Sequence, residues 1–76
     1  MSQKQLIVTF PTTAAAMATE QLCHRQGLPG HLMTVPRQLS ADCGLAWCAP
    51  TEVRPALESA LRDCGAETEG IYEIEL

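Results

Sequence analysis

His31-Leu-Met-Thr-Val-Pro-Arg-Gln-Leu-Ser-Ala-Asp-Cys-Gly-Leu-Ala-Trp-Cys-Ala-Pro50 is the stretch on which the fold turns. His31 to Val35 is short and apolar and is broken by Pro36, which reads as a strand. Arg37 to Asp42 is polar and reads as a loop. Cys43 to Ala49, ended by Pro50, reads as another strand. Two strands therefore follow each other with no helix between them.

Outward from this pair the chain repeats a simpler plan. Gln5 to Phe10 is rich in β-branched and aromatic residues and is stopped by Pro11, so it reads as the first strand. Thr12 or Thr13 then caps a helix through Gln26, with Ala15, Ala18 and Leu22 at helical spacing and Gly27 past its end. After Pro50, Thr51 is placed to cap a second helix. Its apolar stripe is Val53, Leu57, Ala60, Leu61 and Cys64, Pro55 falls near its start, and Gly65 ends it. Ile71 to Leu76 alternates, with Tyr72, Ile74 and Leu76 on one face and Glu73 and Glu75 on the other. The predicted order βαββαβ is the α+β, ferredoxin-like two-layer sandwich, two helices on one face of a four-stranded antiparallel sheet. No linker or low-complexity tract interrupts it, so residues 1–76 read as a single domain.

Composition bounds the function. The chain has 76 residues, 46% hydrophobic and 18% charged, which is a globular balance. A domain this small buries only ~60% of its unfolded surface, which makes association with a partner or a second copy a natural expectation. The formal net charge is -4, and Lys4, Arg25, Arg37, Arg54 and Arg62 are scattered, so no nucleic-acid footprint is present. No segment has the ~20 apolar residues of a membrane span, and Met1 to Gln5 lacks a signal peptide's apolar core, which predicts a cytoplasmic protein that does not engage a membrane.

In that compartment Cys23, Cys43, Cys48 and Cys64 are expected as thiols. No Cys-x-x-Cys pair occurs, so no metal site and no cofactor are expected. Glu67, Glu69, Glu73 and Glu75 read as a solvated acidic face rather than as metal ligands.

Cys43 is the distinctive thiol. In the expected topology the end of the first strand lies beside the start of the third, and the first helix begins at that edge. Its leading N–H groups, about Thr13 to Ala15, carry the positive end of the helix dipole and favour thiolate over thiol. Gly44 removes side-chain bulk next to Cys43, and Arg37 adds positive charge on the approach. Cys23 and Cys64 fall on helical positions expected to be buried and inert. Cys48 is an odd number of residues from Cys43, on the opposite face of a regular strand, and so a weak resolving partner; Cys64 is the better candidate, because the second helix returns to the Cys43 edge, on condition that its thiol is not fully buried. His24 and His31 belong at the far edge and are not expected to act with Cys43.

Phe10-Pro-Thr-Thr, Val35-Pro-Arg, Ser40-x-Asp-Cys-Gly and Gly70-Ile-Tyr, in that order, resemble the selenium/sulfur (Se/S) carrier protein-like family of small bacterial and archaeal domains. The resemblance covers nearly the whole chain. It implies a carrier, not a true enzyme: Cys43 would hold a sulfur or selenium atom as a persulfide or perselenide, taken from a donor protein and passed to an acceptor enzyme. Gly44, Arg37, Asp42, Thr12 and Thr13 would shape the site. The chain lacks the Cys-Pro-x-Pro motif of other sulfur-relay carriers. Against this stands a bland reading, in which Asp42 bonds a tight turn and Cys43 packs as a small hydrophobe. The protein would then be a non-catalytic interaction module or a small-molecule regulatory domain, dimeric through Ile7 or Trp47 on the open sheet face.

Overall fold

A computed structural model describes residues 4–36, 39 and 44–75. The elements follow the local chemistry. β1 (Lys4–Thr9) is held in the strand by its β-branched run and released at Pro11. Thr12 is extended, and its side chain accepts from the N–H of Ala15 at 3.1 Å, which starts α1 (Thr13–Gln26). Gly27 closes that helix in the left-handed conformation, its own N–H reaching His24 O and the next N–H, Leu28, reaching Cys23 O. β2 (His31–Thr34), β3 (Leu45–Pro50), α2 (Arg54–Cys64) and β4 (Gly70–Glu75) complete the chain.

The strand order is β2-β3-β1-β4, antiparallel throughout, which is the expected ferredoxin-like sandwich. The ends of β1, β2 and β4 shift by one residue from the sequence reading, and two boundaries change more. Gly44 is a bend, and β3 starts only at Leu45. Thr51 does not cap α2; a 3-10 turn, Thr51–Val53, leads into the helix instead, with Pro55 in its first turn, where a missing N–H costs no helical bond.

Both helices lie on one face. Leu6, Val8 and Phe10 from the β1 segment and Trp47 and Ala49 from β3 pack there against Ala16, Leu22 and Cys23 of α1 and Leu57, Ala60 and Leu61 of α2. The buried stripe of α1 is Ala16, Thr19, Leu22 and Cys23, so of the expected stripe only Leu22 is buried, and Ala18 is exposed. Thr19 Oγ1 and Trp47 Nε1 are buried with no hydrogen-bond partner among the described residues.

The opposite face is covered too. Ile7 and Ala46 are 0% exposed and Cys48 4%, packed against Met33, Val35, Leu39 and Ile74. Leu39 reaches them from the β2–β3 connection. That connection is drawn together at its neck, where Val35 N–H donates to Gly44 O at 3.0 Å, and is turned by Leu39 N–H donating to Pro36 O at 3.0 Å. The expected pairing of copies through Ile7 or Trp47 on one open face does not survive this geometry. Val8, not Ile7, is the partner of Trp47 in the register, and cross-strand partners share a face. Trp47 therefore lies under the helices, and Ile7 is enclosed within its own chain.

Candidate site at the carboxyl end of β1

Three elements bring the described site residues to one edge. β1 ends at Thr9, whose partner in β3 is Ala46 and whose partner in β4 is Gly70. Thr12 and Thr13 follow β1 by a few residues and Gly44 precedes Ala46 by two, so all three sit at this edge. They are exposed. Glu69 joins them, its N–H donating to Thr9 O at 2.7 Å.

The electrostatics of the edge come from α1. A helix leaves its first N–H groups without internal partners. Here Thr12 Oγ1 takes the N–H of Ala15, and Thr12 O takes that of Ala16 at 3.3 Å. Among the described residues, the N–H groups of Thr13 and Ala14 remain open. The first turn carries no acidic side chain to neutralise them, so the positive end of the dipole faces solvent beside Gly44. Gly44 has φ 76, a left-handed conformation that glycine adopts without cost, and a Cβ there would meet nothing within 4 Å. Arg37, Asp42 and Cys43 themselves lie outside the described residues.

The other thiols divide by burial. Cys23 is fully enclosed, and burial pushes its pKa up, with the neighbouring Cys64 thiol raising it further. Cys48 is buried on the Leu39 side of the sheet, and burial raises its pKa as well; its thiol donates to Gln5 Oε1 at 3.8 Å. Cys64 is exposed, contrary to its place on the apparent stripe of α2, because it is the last residue of the helix, where the chain turns away at Gly65. Its thiol donates to Leu61 O at 3.7 Å. Because α2 runs back towards the carboxyl end of β1, Cys64 finishes on the same side of the sheet as Gly44.

His31 is the partner of Cys48 in the register, at the far end of β3, and His24 lies in the last turns of α1. Neither reaches the Gly44 edge. Among the described residues no group of three His, Cys, Asp or Glu side chains is placed to hold a metal ion, and no helix is long and apolar enough to cross a membrane. Glu67, Glu69, Glu73 and Glu75 are exposed, as expected of a solvated row, and Glu73 is engaged by Arg54.

Neither curated proteins nor solved structures offer a match to the chain. A family model does. It extends over residues 5–73, from β1 into β4, and spans the Thr12, Gly44 and Gly70 edge. By that match the chain belongs to the family described as putative Se/S carrier protein-like.

Proposed function

We propose that the protein carries a sulfur or selenium atom on Cys43 and delivers it to a partner enzyme. The observation that carries this reading is that Gly44, the covalent neighbour of Cys43, lies at the same edge as the open N–H groups that begin α1. Family membership supplies the class of cargo.

The chemistry needs only a thiolate and stabilisation of anions. The Cys43 thiolate attacks the outer sulfur of a donor persulfide, forming a new S–S bond as the donor's S–S bond breaks and the donor leaves as its thiolate. An acceptor nucleophile then attacks the outer sulfur on Cys43, and the Cys43 thiolate is released. The sulfur moves at constant oxidation state, so no redox cofactor is consumed; a perselenide follows the same path. Helix N–H donors and Arg37 favour both the attacking thiolate and the terminal anion. Thr12 and Thr13 order the turn that presents those donors, and Asp42 completes the approach to Cys43.

The test is the pH dependence of alkylation at each cysteine of the native protein, read by mass spectrometry with Cys43→Ser as control. Cys64, being exposed, is the internal reference. Cys43 is expected to react first, with an apparent pKa below the ~8.5 of a free thiol. Reaction of Cys43 no faster than Cys64 would sink the carrier reading and leave the loop as architecture within an interaction module.

A further inference from the structure

The sheet ends on one side at β4, which pairs with β1 and with no other described strand. Alternate backbone N–H and C=O groups of such a strand point outward, a template for one more strand. α2 lies alongside it. Arg54, Glu58 and Arg62 follow one another at intervals of four, forming the flank of the helix that faces β4. Arg54 donates to Glu58 at 2.7 Å and to Glu73 of β4, which closes one end of the space between helix and strand. Beyond that clasp the space widens to a cleft of about 290 Å³ lined by Leu61, Ala66 and Ile71, with Glu58, Arg62 and Thr68 at its rim.

An edge strand beside a helix-walled cleft is the geometry by which extended peptides are taken up: main-chain bonds to the edge give affinity, and alternate side chains enter the cleft. Charge says which peptide. Glu67, Glu69, Glu73 and Glu75 fall within nine residues that hold no basic side chain. Glu67 and Glu69 are exposed and have no ion pair among the described residues. A second copy of β4 laid on the edge would set one acidic row against another, which is destabilising.

We infer that the α2–β4 cleft takes an extended segment of another protein as a fifth strand, an apolar side chain entering between Leu61 and Ile71 and basic residues meeting Glu67 and Glu69. This surface stands on α2 and β4 and does not depend on the role proposed for Cys43.

The experiment is a fluorescence-anisotropy titration of the full chain with a labelled synthetic peptide of about nine residues that alternates valine and lysine, the length of one paired strand with its flanks. It is compared with the same peptide bearing glutamate for lysine, and with versions N-methylated along one edge or the other. The lysine peptide is expected to bind roughly tenfold or more tightly than the glutamate peptide. N-methylation should remove binding from one edge only, because a single edge faces β4. Glu67→Gln with Glu69→Gln, both at exposed positions, should weaken binding several-fold with the circular dichroism unchanged. Absence of saturable binding overturns the inference, as does binding that ignores N-methylation, which would be charge attraction alone. A dimer that protects the amides of Gly70–Glu75 from hydrogen exchange also overturns it, by giving the edge to a second copy. Each of these failures leaves the alkylation order of Cys43 untouched, so the two proposals fail separately.

Discussion

Gly30→Ala tests the packing at the start of β2. Gly30 has φ 143, in a region that side-chain-bearing residues avoid. A methyl group there would lie 2.6 Å from Trp47 Nε1, 2.7 Å from Trp47 Cε2 and 2.8 Å from the Cys48 carbonyl oxygen. None of these can easily move, because Trp47 is 1% exposed in the core and the carbonyl belongs to β3. Backbone strain of this kind costs ~1–3 kcal/mol and overpacking a further ~1–3 kcal/mol, together about 2–6 kcal/mol. A chain of this length has a total stability of roughly 4–11 kcal/mol, so the substitution removes about half of it. At ~4–8 °C per kcal/mol, a loss at the centre of that range, about 4 kcal/mol, lowers the midpoint of thermal unfolding by about 15–30 °C. Gly27→Ala is the matched control: φ is 69, but a methyl group there meets nothing within 4 Å, so only the backbone term of ~1–2 kcal/mol applies. Gly70→Ala is a second control, since the atoms nearest its methyl group belong to the ring end of Tyr72, which is 37% exposed and free to swing away, so the close approach costs little there. Urea unfolding followed by circular dichroism, with the fluorescence of the single tryptophan as a second probe, gives the three values. Gly30→Ala within ~0.5 kcal/mol of Gly27→Ala would refute the close approach of Trp47 to the β2 entry, since surface changes fall within that range.

Three further outcomes follow from burial. Ile7→Ala should cost ~2–4 kcal/mol in urea unfolding because Ile7 is fully enclosed in the cluster that Met33, Val35, Leu39 and Ile74 cover; a loss under ~0.5 kcal/mol would mean that this face is open to water. Thr19→Val keeps the side chain's shape and removes a buried hydroxyl that has no partner, so stability should hold or rise by ~1 kcal/mol, and a fall of that size would show that the hydroxyl is satisfied. Burial raises the Cys23 and Cys48 pKa values in the folded state, so the neutral thiol is the folded form: their stabilisation is complete below the ordinary thiol pKa and is lost as pH rises through the raised values. The free energy of urea unfolding should therefore decline above the ordinary thiol pKa with a slope of at most ~1.4 kcal/mol per pH unit per thiol, and a Cys23→Ala/Cys48→Ala protein should lack most of that decline.

The element order was legible because proline and glycine punctuate the chain and the two halves share one plan. Packing faces were harder to read. α1 is rich in alanine, so its periodicity carries little contrast, and Thr19, which looks polar, is buried while Ala18 is not. Trp47 and Ile7 looked equivalent until the register paired Trp47 with Val8, a shift of one residue that exchanges faces. Leu39 sits in a stretch of polar residues that reads as a loop, and nothing local marks it as the residue that covers the second face. At the candidate site, Thr12, Thr13 and Gly44 were found together because the topology alone places them; Thr12 takes the cap, so the open donors are Thr13 and Ala14 and not Ala15. The exposure of Cys64 was missed because stripe counting does not register that a helix is about to end.

The neck between Val35 and Gly44, with Leu39 seated on the cluster of Ile7, Ala46 and Cys48, bears on how this chain can diverge. The β2–β3 connection of a two-layer sandwich can ordinarily grow or shrink, since long insertions cost little closure entropy. Here it is fastened at both ends and near its middle. Both fastenings are made by Val35, Gly44 and Leu39, so substitutions elsewhere in the connection leave them in place. Changes of length bear on both fastenings, because they alter the span between Leu39 and the neck. Relatives that keep this arrangement should vary there in spelling and hold constant in count.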